Sequence, residues 1–147
     1  MKSSARFFLN EEEKKKITQA IKDAEKETSG EIRIHLENSF KGDIFDRAVT
    51  IFSKLKMQKT KSRNGVLIYL AIQPKKFVII GDAGINAVVG QSFWDSISEH
   101  MNKAFAENRF TEGICDAIQL TGEKLRSYFP YQNDDVNELS DDISFGK

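Results

Sequence analysis

The sequence predicts an α/β protein, a three-layer α/β/α sandwich built around a short mixed sheet. Residues 31–37 alternate between polar and apolar, which indicates a strand, and residues 65–72 form a continuous apolar run typical of a strand covered on both faces. A helical pattern separates these strands, so we expect them to be parallel with a right-handed crossover. A turn at 73–76 leads to a third strand near 76–81, which the short connection makes antiparallel to the second.

Amphipathic helical patterns flank these strands and supply both outer layers. Asn10 is a favourable N-cap for the first helix, and the three glutamates that follow it suit the positive end of the helix dipole. Asp43 and Asp46 suit the N-cap and N3 positions of the crossover helix. Two further helices are predicted after the sheet, one from near residue 92 and one from near residue 111 to the Phe129-Pro130 pair.

Length and charge exclude several functional classes. The chain has 147 residues, for which one domain is expected, and its 22 Lys plus Arg balance its 22 Asp plus Glu, which argues against binding to nucleic acid. Cys115 is the only cysteine, which fits a reducing compartment. Residues 1–10 lack the apolar region of a signal peptide, and the apolar run at 66–72 is too short to cross a bilayer. We therefore expect a cytoplasmic protein without direct membrane insertion.

The charges are unevenly distributed along the chain. Residues 41–63 carry seven basic and two acidic side chains, whereas residues 131–147 carry five acidic side chains and one basic. The second segment lacks periodicity and is interpreted as a disordered acidic tail after a folded domain over 1–130. Folding of this tail over the basic segment is the alternative.

One edge of the predicted sheet collects a candidate metal site. The end of the third strand lies beside the starts of the first two, which brings together Glu31, Asn64, Asp82 and Asn86. Carboxylate and amide oxygens are the ligands of hard cations, so the sequence predicts a divalent-cation site, with Ca²⁺ favoured and Mg²⁺ possible. The alternative is structural: Asp82 caps a turn and Glu31 pairs with a nearby arginine.

Two other features leave alternatives open. Asp43 and Asp46 lie near the opposite end of the first strand, where they could form a second acidic site, although helix capping explains both. The first strand also has one fully polar face, on which His35 stands next to Glu37. This face belongs either to an edge strand with a wetted side or to a site where His35 acts as a ligand or proton carrier.

Three short motifs, taken in their order and spacing, resemble the TPM-domain family. They are Ser29-Gly30-Glu31-Ile32-Arg33, Arg63-Asn64-Gly65-Val66-Leu67-Ile68 and Gly81-Asp82-Ala83-Gly84-Ile85-Asn86. The resemblance covers about residues 10–130 and points to a soluble bacterial branch of the family, without signal peptide or membrane anchor. It implies a Rossmann-like α/β/α fold and divalent-metal binding in loops at the sheet edge. It also implies the weak acid phosphatase activity associated with plant lumenal members.

The chain departs from the family pattern in the Gly-rich turn. Asn86 stands where the family has Glu, and Gln91 stands near the position of a family Asp, while Asp82 adds a carboxylate. Two expected carboxylates are therefore amides. This change argues against phosphatase chemistry and shifts or weakens a metal site.

Three functional hypotheses follow. The first is a non-catalytic calcium-binding module that acts through an unknown protein partner, with a monomer as a plausible state. The second is a weak metal-dependent phosphatase, in which Glu31 and Asp82 hold a metal-activated water while Arg33 or Arg63 holds the phosphate. The third is a scaffold without a metal, whose basic segment and acidic tail control partner access.

Overall fold

The computed structural model describes residues 5–132 and 139–146. Its elements follow one another with short connections, including 3₁₀ turns at Met57–Lys59 and Gln91–Trp94. In chain order they are α1 (Ala5–Phe8), α2 (Glu11–Ala24), β1 (Glu31–Glu37), α3 (Ile44–Lys54), β2 (Gly65–Ala71), β3 (Lys76–Gly81), α4 (Ala83–Asn86), α5 (Asp95–Ala106), α6 (Phe110–Leu125) and β4 (Ser144–Phe145).

The sheet has the order β3-β2-β1-β4. β1 and β2 are parallel, with Glu31 opposite Gly65, and β3 runs antiparallel to β2. The predicted mixed sheet is therefore confirmed. β4, which the sequence analysis did not predict, adds a short parallel strand on the free side of β1, with Ser144 opposite His35.

Side-chain alternation divides the interior into two cores, one on each face of the sheet. Ile32, Ile34 and Leu36 of β1 point to the larger core, which α2, α5 and α6 cover. Leu67 and Tyr69 of β2 point to the smaller core, which α3 covers. Helices thus lie on both faces, as the α/β/α prediction requires.

Side-chain caps fix the starts of the helices on each face. The backbone N–H of Glu13 donates to Asn10 Oδ1 over 2.7 Å, and the Glu13 carboxylate accepts in return from the backbone N–H of Asn10 at 3.0 Å. On the other face, Asp43 accepts from the backbone N–H of Asp46 at 3.0 Å. Among the described residues, no helix has the length and apolar character needed to cross a membrane.

The C-terminal segment differs from the disordered tail expected over 131–147. Residues 139–146 lie along β1, and Gly146 donates its backbone N–H to Leu36 O over 2.8 Å. Sequence periodicity could not indicate this order, because two-residue pairing and side-chain contacts with β1 hold the segment in place. Residues 133–138 and 147, which the prediction also covered, lie outside the described residues.

Gly146 gives a test of how tightly this segment is docked. A Cβ at this position would lie 2.3 Å from Glu37 Oε1, so Gly146→Ala should displace β4 and lower the free energy of unfolding by about 1–3 kcal/mol. Amide hydrogen exchange should show lost protection at residue 146 and along β1.

Gly90→Ala is the matched control, because a Cβ at Gly90 meets no atom within 4 Å. It should leave exchange and thermal stability unchanged. Equal behaviour of the two variants would show that residue 146 is not packed closely against Glu37.

Candidate functional site

The strand directions bring three of the four predicted metal ligands to one edge of the sheet. The backbone N–H of Glu31 donates to Asn64 O at 3.2 Å, and the backbone N–H of Asp82 donates to Gly65 O at 2.9 Å. Glu31, Asn64 and Asp82 are all buried, whereas Asn86, in the short helix that follows, is exposed. The sequence therefore placed these residues at a common edge for the correct topological reason.

Asp82 is engaged by protein groups at this edge. The guanidinium group of Arg63 binds its carboxylate through two hydrogen bonds of 2.8 Å, one to each oxygen. Asp82 Oδ1 also accepts from the backbone N–H of Ala83 at 2.7 Å, which caps α4. A bidentate arginine neutralises the negative charge, so Asp82 follows the structural interpretation of the turn more closely than the metal-ligand interpretation.

Gly84 of this turn packs closely against backbone atoms of the loop that precedes β2. A Cβ at Gly84 would lie 2.2 Å from the carbonyl oxygen of Ser62 and 2.6 Å from that of Arg63. Arg63 has a left-handed backbone with φ of 50°, which turns its carbonyl toward Gly84 N at 2.8 Å. Asn86 donates from Nδ2 to Gly81 O at 3.0 Å. This part of the motif is therefore explained by packing between two loops.

Glu31 lies on the other side of the same edge, beside two acids that sequence reasoning missed. Its Oε1 accepts from the backbone N–H of Leu139 at 2.6 Å, so the C-terminal segment crosses over it. Glu25, at the end of α2, accepts from the backbone N–H of Ile32 at 3.0 Å and shares a hydrogen bond with Asp141. Glu25, Glu31 and Asp141 consequently form one group of neighbouring acids, which we call the acid cluster.

The surroundings of Glu25 in the acid cluster favour its protonated form. Burial raises the pKa of Glu25 to about 9, and the hydrogen bond with Asp141 together with the negative charges of Asp141 and Glu31 acts in the same direction. In this geometry, no group of three or more His, Cys, Asp or Glu residues within 5–132 and 139–146 is arranged to hold a metal ion. A proton on Glu25 therefore relieves the repulsion between the carboxylates of the cluster in this geometry.

Two buried oxygens near this edge lack hydrogen-bond partners within the described part of the chain. They are Asn64 Oδ1 and Asp141 Oδ1. Buried acceptors without donors are costly, and a cation is one species that can satisfy them. No sequence signal could have identified Asp141, because it lies more than a hundred residues from Glu25 and in a segment without a strand pattern.

The opposite end of β1 carries a second polar network. Glu37 is buried, and its carboxylate accepts hydrogen bonds from Arg47 Nε at 3.0 Å and from the Tyr69 hydroxyl. His35 Nε2 lies 3.2 Å from Glu37 Oε1, and His35 Nδ1 lies 2.7 Å from Ser144 Oγ. β1 is thus not an edge strand with a wetted face.

This network fixes the charge states of its members. Burial lowers the pKa of His35, so the imidazole is neutral at physiological pH despite its carboxylate neighbour. Burial opposes ionisation of Glu37, but hydrogen bonds from Arg47, Tyr69 and His35 outweigh it and hold its pKa below the usual range. The proposed proton-carrier role of His35 gains no support from this arrangement, which keeps the ring neutral, hydrogen-bonded to Ser144 through Nδ1 and with Nε2 3.2 Å from Glu37 Oε1.

Family and structural comparisons agree with this architecture. The TPM domain model matches residues 5–124. The chain belongs to the TPM-domain family. None of the curated proteins matches the sequence.

Three solved structures resemble this TPM domain. The BA42 protein from the psychrophilic bacterium Bizionia argentinensis is 50% identical, covers 95% of this chain and 96% of its own, and has a TM-score of 0.91. The N-terminal domain of a P. gingivalis protein is 12% identical, with 86% and 83% covered and a TM-score of 0.71. The N-terminal domain of cg2496 from Corynebacterium glutamicum is 15% identical, with 95% and 81% covered and a TM-score of 0.60. The last two show a shared fold.

The raised pKa of Glu25 predicts a pH dependence of stability. The group keeps its proton up to about pH 9 when folded, against a reference pKa of 4.5, so the unfolded chain binds fewer protons between these values. Stability should therefore fall as pH rises through this window, by on the order of 1 kcal/mol per pH unit at most. Denaturant melts between pH 7 and 9 measure the fall above the titration range of His35.

Glu25→Gln should remove most of this slope, because the amide cannot ionise. Glu12→Gln, an exposed position in the same helix, should retain it. A slope that is identical in both variants would mean that Glu25 does not carry the proton.

Proposed function

We propose that this TPM domain is a divalent-cation-binding module, with calcium favoured, whose ligands come from the acid cluster and Asn64. The observation that carries the proposal is the position of Glu25 against the carboxyl group of Asp141 and next to Glu31, which raises the pKa of Glu25 and favours its protonated form. A divalent cation can replace that proton and compensate the carboxylates more fully.

The donor set suits a hard cation. Ca²⁺ takes six to eight oxygen ligands, as a rule, and three carboxylates provide up to six. Asn64 adds Oδ1, a buried amide oxygen without a hydrogen-bond partner among the described residues. Asn64 also lies beside Glu31 through the 3.2 Å backbone hydrogen bond. Binding would require the side chains to converge on the ion as the proton leaves.

This proposal moves the site from the Asp82 side of the edge to the Glu31 side. Asp82 and Asn86 remain sequence-based candidates, but Asp82 already binds Arg63 at 2.8 Å through both oxygens. Asp43 and Asp46 are accounted for by the cap of α3, with the 3.0 Å hydrogen bond between them. Glu31 and Asn64 are thus the two predicted ligands that the geometry supports best.

A binding role is better supported than phosphatase chemistry. The phosphatase hypothesis needs an arginine for the phosphate, yet Arg63 is engaged by both oxygens of Asp82, and Arg33 lies near the acidic side chain of Asp142. The other polar network lies at the far end of β1, roughly 20 Å away for a seven-residue strand. The two sites therefore do not combine into one catalytic centre.

We also propose that the domain acts through a protein partner. Phe45 and Val49 lie one turn apart on α3 and are 53% and 46% exposed, so they provide an apolar contact area. This area is distinct from the acid cluster, because α3 covers the β2 and β3 side of the sheet.

Calorimetric titration of the full chain with CaCl₂ tests the proposal. Titrations at pH 7.5 in two buffers with different ionisation heats should show saturable binding with release of about one proton per ion. Glu25→Gln and Asp141→Asn should each weaken binding at least tenfold, because each removes a charged ligand. MgCl₂ in parallel distinguishes the two cations.

Asp82→Asn is the matched control and should retain binding within about threefold. Loss of binding in Asp82→Asn but not in Glu25→Gln would return the site to the Asp82 side of the edge. The absence of saturable binding up to about 10 mM of either ion would contradict the proposal entirely. Turnover of p-nitrophenyl phosphate that depends on Glu31 and on added metal would favour the phosphatase hypothesis instead.

A further inference from the structure

A cavity lies at the carboxyl end of β1, far from the acid cluster. On this face of the sheet α3 packs against β2 and β3, so the polar face of β1 stays outside the helix layer. The resulting space has a volume of about 730 Å³ and lies between β1, β4 and α3. The carboxyl ends of parallel strands are the usual place for ligands in α/β sheets, and this volume falls within the range of small-molecule sites.

The charges around this cavity are predominantly positive. Lys41, Arg47 and Lys54 line it together with a single carboxylate, that of Glu37. Arg47 directs Nε and Nη2 to Glu37, so this carboxylate is already compensated. Neither lysine forms an ion pair within the described residues, and both are exposed. Two ammonium groups without an ion-pair partner among the described residues thus line a cavity in which the only carboxylate, that of Glu37, is already paired with Arg47.

The remainder of the lining is apolar on one side and polar at the base. Phe40, Ile51 and Leu55 belong to the smaller core and form one wall. His35 and Ser144, joined by their 2.7 Å hydrogen bond, form the base beside Glu37. Apolar residues that line the cavity together with the two lysines distinguish it from a simple basic patch.

We infer that this cavity binds a small anionic molecule with an apolar body. The anionic group, a carboxylate or a phosphate monoester, is held by Lys41 and Lys54, and the free edge of the Arg47 guanidinium supplements them. The apolar body packs against Phe40, Ile51 and Leu55. This site lies at the opposite end of β1 from the proposed cation ligands, so the two proposals are tested separately.

NMR titration of the ¹⁵N-labelled full chain provides the test, with benzoate, phenyl phosphate and neutral benzyl alcohol as probes. The two anions should cause saturable amide shifts confined to residues 35–41, 47–55 and 144–146. Benzyl alcohol should bind at least fivefold more weakly. The stronger of the two anions identifies the head group, and increasing NaCl from about 0.05 to 0.5 M should weaken both.

Lysine variants distinguish anion binding at this cavity from non-specific electrostatic attraction to exposed lysines. The double variant Lys41→Ala and Lys54→Ala should weaken anion binding at least fivefold. Lys22→Ala with Lys103→Ala removes two exposed charges from the opposite face and should change affinity less than twofold. The inference is overturned by shifts outside the three segments, by equal binding of benzyl alcohol, by equal effects of the two double variants, or by no saturable shift up to about 10 mM.

Discussion

The fold depends on one constraint: the polar face of β1 is buried and must be satisfied from several directions. Its four polar residues point away from the larger core, and two of them, Glu31 and Glu37, are 4% and 1% exposed. Arg47 of α3 and Tyr69 of β2 donate hydrogen bonds to Glu37, while Leu139 donates to Glu31 Oε1 and Ser144 lies within hydrogen-bond distance of His35 Nδ1. Because an unpaired buried charge costs several kcal/mol, these partners bind the crossover helix, the central strand and the C-terminal segment into one unit.

Most of the layered architecture could be predicted because its signals are local. Alternation over 31–37, the apolar run of β2 and the short turn before β3 each fit within ten residues, and together they determine strand directions. The common edge of Glu31, Asn64 and Asp82 follows from those directions alone. The helix starts at Asn10 and Asp43 could be predicted for the same reason, because an N-cap depends on residues that are close in sequence.

The parts that escaped prediction depend on contacts that are distant in sequence. β4 has two residues and reaches β1 from more than a hundred positions away, so no period could reveal it. The acid cluster joins the end of a helix to that same segment. The left-handed backbone of Arg63 also has no sequence signature. With it, the guanidinium group of Arg63 binds Asp82 and its carbonyl oxygen accepts from the backbone N–H of Gly84. A candidate ligand such as Asp82 could be located from sequence, but its neutralisation by Arg63 could not.

The short length of β4 has a consequence for self-association. Within the described part of the chain β4 pairs with His35 and Leu36, so it covers the open side of β1 with few hydrogen bonds. Behind it lies a strand whose Ile32, Ile34 and Leu36 alternate regularly, a pattern that readily templates pairing with another chain. Displacement of residues 139–146 would expose that edge and would also remove Leu139, Ile143 and Phe145 from their packing against the two cores. By covering this edge the C-terminal segment limits edge-to-edge pairing, so its displacement should favour self-association as well as lower stability.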